Sequence, residues 1–243
     1  PTVPAYYALL ARAHMDRYGT TEEHFAYAAV SCRAWASQHP KAQKRDPISV
    51  KDVMGSRPIA DPLKVLDCSL VSDGGAAVVI TRGDRVSGSK QKPIYLLGYG
   101  EGHAYEHISQ ASDLTTSAAA LSGQAAYAES GLTPDDMDLL QLYDCFTPAL
   151  LIQIEDLGFC AKGEGGDWLA SGISQPGGNK PLNTHGGMLS YCHPGNPGAM
   201  FGLTEAMLQL RGQAGARQLS GISTALCHAQ GGIMSSHATL ILG

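Results

Sequence analysis

Three short stretches of the sequence place cysteine, histidine and glycine where they could do chemistry. The first spans residues 183–194 and reads NTHGGMLSYCHP. Gly186 and Gly187 permit a tight backbone after a strand, and His193 stands directly before Pro194, at the entry to a predicted helix. A histidine held there can share a proton with a thiol or polarise a carbonyl. The structural alternative is a helix-entry histidine that bonds only to the backbone.

The second stretch spans residues 142–147, LYDCFT, where a predicted strand ends and a helix begins. Ligand and catalytic groups favour this edge of α/β sheets, so Asp144 and Cys145 are candidates. The alternatives are structural, since a free cysteine is commonly a small buried hydrophobe and Asp144 could simply cap the helix.

The third stretch spans residues 225–232, ALCHAQGG, where we expect a strand to end at Cys227. Neighbouring side chains on a strand point to opposite faces, so Cys227 and His228 are not expected to act as a pair. Three further histidines have no supporting context: His103, His185 and His237.

From residue 94 onward the apolar patterns alternate between strands and helices. This alternation predicts a layered α/β unit with helices on the faces of a sheet. The predicted strands are 94–100, 138–142, 182–184, 218–226 and 236–242, and the predicted helices are 114–131, 146–157 and 197–210.

The part of the chain before this unit has a different character. Its predicted elements are helices over 5–16, 22–37 and 50–54, and two apolar runs over 66–72 and 75–81. We expect Thr21 to cap the second helix and 76–81 to be a buried strand. Because residues 1–60 lack an alternating-strand core, we expect them to pack over the α/β unit and not to form a domain of their own.

Composition excludes several classes of protein. The chain has 243 residues, of which 44% are hydrophobic, and a formal net charge of −5. No basic block suits a nucleic acid, and every apolar run is far shorter than the ~20 residues that cross a membrane. The six cysteines form no Cys-x-x-Cys pair, which favours free thiols in the cytoplasm and argues against a metal site in this chain. No targeting signal opens the sequence, and we expect the natural start to precede Pro1.

Together these stretches resemble the thiolase superfamily, in particular its sterol-carrier-protein-type branch. Residues 183–194 are similar to the thiolase segment Asn-x-Asn-Gly-Gly-x-x-x-x-Gly-His-Pro, and YDCF resembles the His-Asp-Cys-Phe variant of that branch. LCHAQGG resembles the final Cys-x-Gly loop. HMDRYGTTEEHFA and LDCSLVSDGGAAVVI resemble the loop domain and the last strand of the first half, so the resemblance runs nearly end to end.

The resemblance implies a thiolase-like layered α-β-α-β-α core, which thiolases build from two similar halves. Residues 1–62 would be a helical loop-domain segment, 63–92 the closing strand of the first half with a linker, and 93–243 the C-terminal half. Only part of the first half would then be present. The remainder, which carries the nucleophilic cysteine of a thiolase, is expected before Pro1, because none of the six cysteines matches it.

The resemblance also assigns roles position by position. His193 matches the histidine that activates the nucleophilic thiol, Cys227 matches the acid/base cysteine, and Cys145 matches a cysteine that the sterol-carrier-type branch could use instead. The backbone N–H of Ala229 stands where an oxyanion hole is expected, although glycine is usual there. Tyr143 replaces the histidine or asparagine that organises an oxyanion-binding group, and Tyr143 and Tyr191 together raise a second kind of chemistry.

Three functions compete. The first is thiolytic cleavage of a 3-oxoacyl-CoA, or its reverse, which the presence of His193 and Cys227 favours. The second is a thiolase-fold aldolase that cleaves a 3-hydroxyacyl-CoA, such as a steroid side-chain intermediate, with Tyr143 or Tyr191 taking the hydroxyl proton. It stands second because an unperturbed tyrosine has a pKa near ~10, so a tyrosine base needs strong stabilisation of its phenolate. The third is a non-catalytic scaffold that binds acyl-CoA or a partner.

The partners implied by the resemblance are an acyl-CoA substrate, a second copy of the chain in a homodimer, and a small zinc-ribbon/OB-fold protein that would hold its own metal. Coenzyme A is expected as a substrate and no resident cofactor is expected. Neither a nucleic acid nor a membrane is expected as a partner.

Overall fold

Two long helices open the chain where the apolar periodicity predicts them. In the computed structural model, which describes residues 2–243, α1 covers Val3–Tyr18 and α2 covers Glu22–Ser37. The Thr21 hydroxyl accepts a hydrogen bond from the His24 N–H at 3.4 Å, which satisfies one donor at the start of α2. The next elements are α3 (Val50–Met54) and a hairpin that the sequence does not predict, of β1 (Pro58–Ala60) and β2 (Leu63–Lys64).

The centre of the fold is a mixed four-stranded sheet. Its strands are β3 (Leu96–His103), β4 (Leu139–Gln141), β5 (Ala225–Gly231) and β6 (Ser236–Leu242), in the order β3-β6-β5-β4. β6 is antiparallel to both of its neighbours, and β4 is parallel to β5. The strand predicted at 182–184 is reduced to one parallel bridge between Leu182 and Leu140. The arrangement confirms the α/β class.

Helices cover both faces of this sheet. They are α4 (Ala119–Ser130), α5 (Thr147–Asp156), α6 (Gly165–Ala170), α7 (Gly187–Ser190) and α8 (Gly198–Leu210). On β5 the neighbouring side chains of Cys227 and His228 lie toward α8 and α4 respectively, so these two helices lie on opposite faces. β3 turns glycines toward α4, and a Cβ at Gly100 would come within 2.2 Å of the Ser122 carbonyl oxygen.

The first quarter of the chain packs onto this α/β unit, as its lack of a strand core predicts. Tyr7 of α1 stacks on Phe146, with 4.3 Å between the ring centroids. The fully buried His14 places its Nε2 2.9 Å from the Glu155 carboxylate of α5. These contacts tie the first helix to α5 and its N-terminal flank.

The expected closing strand is the main departure from the sequence prediction. Residues 66–72 and 75–81 form no strand, and Val79 and Ile80 are 95% and 89% exposed instead of buried. A strand is stable when a neighbouring strand satisfies its backbone groups, and among residues 2–243 no strand lies beside 75–81. The apolar run has the composition of a strand, but composition alone does not supply the sheet.

Two strand boundaries also differ from the prediction. The sequence places strands at 94–100 and 218–226, whereas β3 continues to His103 and β5 begins later and continues to Gly231. The hairpin of β5 and β6 explains the second shift, because their pairing continues to Gly231 opposite Ser236. No helix of residues 2–243 is long and apolar enough to cross a bilayer, and the six cysteines are free thiols.

Candidate active site

The Tyr143 hydroxyl and the His193 imidazole meet at the edge of the sheet. Tyr143 follows the end of β4, and His193 precedes α8. The hydroxyl oxygen lies 3.1 Å from His193 Nε2, and the two rings meet nearly at right angles, 83°. The fold therefore brings together two of the predicted site residues, which are 50 positions apart in the sequence.

Two serines hold His193 from the other side. The Ser69 hydroxyl lies 2.9 Å from His193 Nδ1, and the His193 N–H donates to the Ser72 hydroxyl at 2.7 Å. Both serines belong to the extended segment that follows Cys68. This segment is fastened to the site loops, because the Ser69 N–H donates to the Cys145 carbonyl at 2.9 Å.

Burial keeps both groups of this contact neutral. It lowers the pKa of His193 below its usual 6.5 and raises the pKa of Tyr143 well above 10, because each charged form would lose solvation. In the tautomer with its proton on Nδ1, His193 accepts the Tyr143 proton at Nε2 and turns an N–H toward the Ser69 hydroxyl. In the other tautomer both directions are reversed, because each hydroxyl can donate or accept. The site is a chain of neutral groups poised to pass one proton.

Asp144 joins the two loops that carry Tyr143 and His193. Its carboxylate accepts hydrogen bonds from the N–H groups of Met188 at 2.8 Å and Leu189 at 3.2 Å, so it does not cap α5 as one sequence interpretation suggested. A Cβ at Gly187 would lie 2.0 Å from this carboxylate, which explains the glycine. Complete burial raises the pKa of Asp144 to about 6, although its two N–H donors oppose the shift.

The main chain of Tyr143 is held by a buried glutamine. Gln153 accepts from the Tyr143 N–H at 3.2 Å and donates to the Tyr143 carbonyl at 2.8 Å. Gln153 also donates to Gln230 of β5 at 3.2 Å, and Gln230 donates in turn to the Tyr7 hydroxyl. The first helix thus takes part in fixing the strand end that carries Tyr143.

Asn183 fixes the same strand end from the opposite loop. Its backbone has a positive φ of 50°, a conformation that asparagine tolerates better than most residues. Its side-chain oxygen accepts from the Leu142 N–H at 2.8 Å and its amide donates to the Leu142 carbonyl at 3.0 Å. The side chain therefore acts as a strand neighbour for the residue before Tyr143.

Cys227 lies in a different environment from His193. It is buried among apolar side chains that include Leu139 and Leu210, and burial raises the pKa of its thiol to about 12. Within residues 2–243 its thiol has no hydrogen-bond partner. The pairing of Cys227 with His193 in one pocket remains a prediction.

The other predicted site residues are spread around this centre. Cys145 is buried, 4.0 Å from the Gln230 amide nitrogen, and burial raises the pKa of its thiol to about 12. The Tyr191 ring packs at 4.5 Å from the ring of His39. Ala229 pairs with Ala238 inside the β5–β6 ladder, so the loop expected after Cys227 is a strand. Its role in an oxyanion hole stays a prediction.

Sequence reasoning missed Ser69, Ser72 and Gln153. The two serines lie in the run 66–72, which the sequence marks only as apolar, and the buried strand is predicted after it, at 76–81. Gln153 is a polar residue inside the apolar helix α5, and that break in the pattern is the one signal that could have marked it.

A family model described as "Thiolase C-terminal domain-like" matches residues 100–243, more than half of the chain. The chain belongs to the thiolase family. This confirms the family that the three motifs indicate.

Three thiolase-family relatives share about a third or more of their aligned residues with this chain. An acetyl-CoA acetyltransferase of Methanothermobacter thermautotrophicus is 37% identical over 95% of this chain and 61% of its own length. A 17-hydroxy-3-oxo-4-pregnene-20-carboxyl-CoA lyase of Mycobacterium tuberculosis is 38% identical over 100% of this chain and 63% of its own. Sterol carrier protein 2 of Oryctolagus cuniculus is 34% identical over 94% of this chain and 43% of its own, which places the chain in the sterol-carrier-protein-type branch.

A solved structure extends the likeness from sequence to fold. The "Ltp2-ChsH2(DUF35) aldolase" superposes with a TM-score of 0.91 at 38% identity, and the match covers 98% of this chain and 62% of that one. The chain therefore spans about three fifths of the length of the acetyltransferase, the lyase and the solved aldolase.

Proposed function

We propose that this chain forms part of a thiolase-fold aldolase that cleaves the C–C bond of a 3-hydroxyacyl-CoA by a retro-aldol reaction. The observation that carries the proposal is the chain of contacts from the Tyr143 hydroxyl through His193 to Ser69. A retro-aldol reaction needs a group that removes the proton of the substrate hydroxyl, and it needs no nucleophilic cysteine.

The contact chain removes the difficulty that a tyrosine base faces on its own. As the Tyr143 oxygen takes the substrate proton, its own proton passes to His193 Nε2, so no free phenolate accumulates. The bond between C2 and C3 of the acyl chain breaks, C3 becomes a carbonyl, and the electron pair forms the enolate of the shortened acyl-CoA. The enolate carbon then takes a proton from a second acid, for which Tyr191 is the candidate. The cycle closes when the proton held by His193 is released to water and Tyr191 takes one back from water.

The relatives support the same reaction class. The lyase of M. tuberculosis carries in its name a hydroxylated pregnene carboxyl-CoA, and the solved relative is named as an aldolase. Both align along nearly the whole of this chain. We therefore infer a hydroxyacyl-CoA substrate for the present protein, with a steroid side-chain intermediate as one example.

Thiolytic cleavage of a 3-oxoacyl-CoA is the second candidate. His193 and Cys227 both stand at positions that match thiolase catalytic residues, and one relative is an acetyl-CoA acetyltransferase. The geometry favours it less, because Cys227 lies in an apolar cluster and burial raises the pKa of its thiol to about 12. In this function Tyr143 would only orient His193, and a cysteine from outside residues 1–243 would be the nucleophile.

The complete enzyme, in this proposal, contains more than the present chain. The rest of the first thiolase half would cover the exposed apolar run at 75–81, and a second copy would complete a homodimer. A small zinc-ribbon/OB-fold protein is the proposed partner. The name of the solved relative joins an aldolase to a second component, which supports a two-component assembly.

The test is a product assay with the full-length protein and any co-purifying partner. We expect cleavage of a 3-hydroxyacyl-CoA to a ketone or aldehyde and a shorter acyl-CoA, with no requirement for free coenzyme A. Cleavage of a 3-oxoacyl-CoA that depends on free coenzyme A, with no reaction of the hydroxy substrate, would establish the second candidate instead.

A further inference from the structure

A small cavity of about 10 Å³ lies between the end of β4 and α8. Its walls include Gln141, Asp144, His185 and Gly202. This volume is about the space that one water molecule needs. Its lining includes the polar side chains of Gln141 and His185, whereas a cavity that stays empty is lined by apolar side chains.

Two buried polar atoms on its lining residues have no hydrogen-bond partner within the described chain. They are Oε1 of Gln141 and Nδ1 of His185. Gln141 is 2% exposed and His185 is 5% exposed, so bulk water reaches neither side chain freely. A buried polar atom without a partner loses its solvation and gains nothing in return, so such atoms are normally satisfied by protein or by an internal water.

The orientation of the Gln141 amide is fixed by a chain of buried groups that starts at Arg217. Arg217 donates to the Glu205 carboxylate at 2.8 Å and, although burial opposes it, this pairing holds the pKa of Glu205 below its usual value. The ionised carboxylate can only accept, so the Thr184 hydroxyl donates to it at 2.9 Å. The Thr184 oxygen must then accept from the Gln141 Nε2 at 3.1 Å, which leaves Gln141 Oε1 as an acceptor in need of a donor.

His185 also lines the cavity, and its imidazole is neutral. Burial lowers the pKa of its imidazole to about 4, so the ring carries a single proton near neutral pH. With that proton on Nδ1 the ring is a donor, and with it on Nε2 the ring is an acceptor. Only a molecule that can both donate and accept satisfies Gln141 Oε1 together with either form of the ring.

We propose that this cavity binds one internal water molecule, which donates to Gln141 Oε1 and forms its second hydrogen bond with Nδ1 of His185. The water would extend the polar chain from Arg217 to His185. It would tie the strand that leads to Tyr143 to the loop that leads to His193. The site does not depend on which reaction the protein catalyses.

A crystal structure of the full-length protein at about 1.5 Å, a resolution at which ordered waters are resolved, tests the proposal directly. We expect one well-ordered water within hydrogen-bond distance, roughly 2.6–3.2 Å, of both Gln141 Oε1 and His185 Nδ1. A dry cavity would overturn the proposal. So would a direct hydrogen bond between the two side chains.

A variant pair assigns the ligand. His185→Phe keeps a ring in the wall and removes Nδ1, so we expect the water peak to weaken or vanish and the melting temperature to fall. His103→Phe changes an exposed histidine on β3 and should leave the water in place. An undiminished water peak in His185→Phe would show that His185 is not a ligand, and the proposal would then be wrong.

Discussion

The hydroxyl of Tyr143 lies 3.1 Å from Nε2 of His193, and Ser69 bonds to the opposite nitrogen of the same ring. This arrangement orients one imidazole between two hydroxyl groups. A histidine held in this way can receive a proton from the tyrosine at the moment the tyrosine takes one from a substrate. The contact joins the stretch 142–147 to the stretch 183–194, and the sequence does not indicate that these two stretches meet.

Ser69 is expected to be a positioning residue. Ser69→Ala removes the hydroxyl that bonds to His193 Nδ1 and leaves the Tyr143 contact intact, so we expect kcat to fall about 5- to 10-fold, as the loss of one buried hydrogen bond implies. The KM should change little, since Ser69 is not expected to touch substrate. Ser89→Ala, in an exposed turn, is the matched control, and an equal loss in both variants would refute the assignment.

The activity should persist as the pH is lowered past 6.5, the usual pKa of a histidine. Burial lowers the pKa of His193, and only the neutral ring can accept the Tyr143 proton. As the pH falls, kcat/KM should therefore stay level past 6.5 and drop only below it. A pH–rate profile with its acid limb at or above 6.5 would contradict the buried, neutral His193.

Asp144 should make folding stability depend on pH in an unusual direction. Its pKa is raised from 3.8 to about 6 in the folded chain, so the folded state holds its proton more tightly than the unfolded state. Its contribution is then fully present below pH 3.8 and is lost as the pH rises through about 6, by about 3 kcal/mol at most.

Urea unfolding between pH 4 and 7 measures this effect. Asp144→Asn cannot titrate, so the fall in stability over this range should be smaller in the variant than in the natural protein. Asp136→Asn, on an exposed turn, should keep the full pH dependence. A slope that is unchanged in Asp144→Asn would exclude Asp144 as its source.

The first quarter of the chain should not fold alone. Tyr7 and His14 are buried against Phe146, Gln230 and Glu155, none of which lies in the first 60 residues. A peptide of residues 1–60 would expose these side chains and should show no cooperative thermal unfolding by circular dichroism. A cooperative transition in that peptide would show an independent domain.

The sequence predicts the layered fold because its signals are local. Apolar periodicity predicts the helices over 22–37 and 197–210 and the strand at 236–242. Capping residues such as Thr21 mark where a helix begins. The prediction of a strand at 76–81 is wrong because a strand also needs a partner that is distant in the sequence. Its apolar composition is local, but the pairing that would bury it is not.

The candidate site divides in the same way. The motifs identify Tyr143 and His193 because each follows or precedes a recognisable element, whereas Ser69 and Ser72 reach His193 from more than a hundred positions away. No periodicity encodes such a contact. The sequence offers Asp144 as a site candidate or a helix cap but not as a link between two loops, because the N–H groups from which it accepts lie more than forty positions away.

The most direct test of the proton chain compares two variants of the full-length protein on a 3-hydroxyacyl-CoA. Tyr143→Phe keeps the ring and removes the hydroxyl, so cleavage should fall about 10²- to 10⁴-fold, the usual contribution of general acid–base catalysis, while acyl-CoA still binds. Cys227→Ala removes a thiol that lies in an apolar cluster and should leave the rate within a fewfold of the natural enzyme. An active Tyr143→Phe variant together with an inactive Cys227→Ala variant would contradict the account.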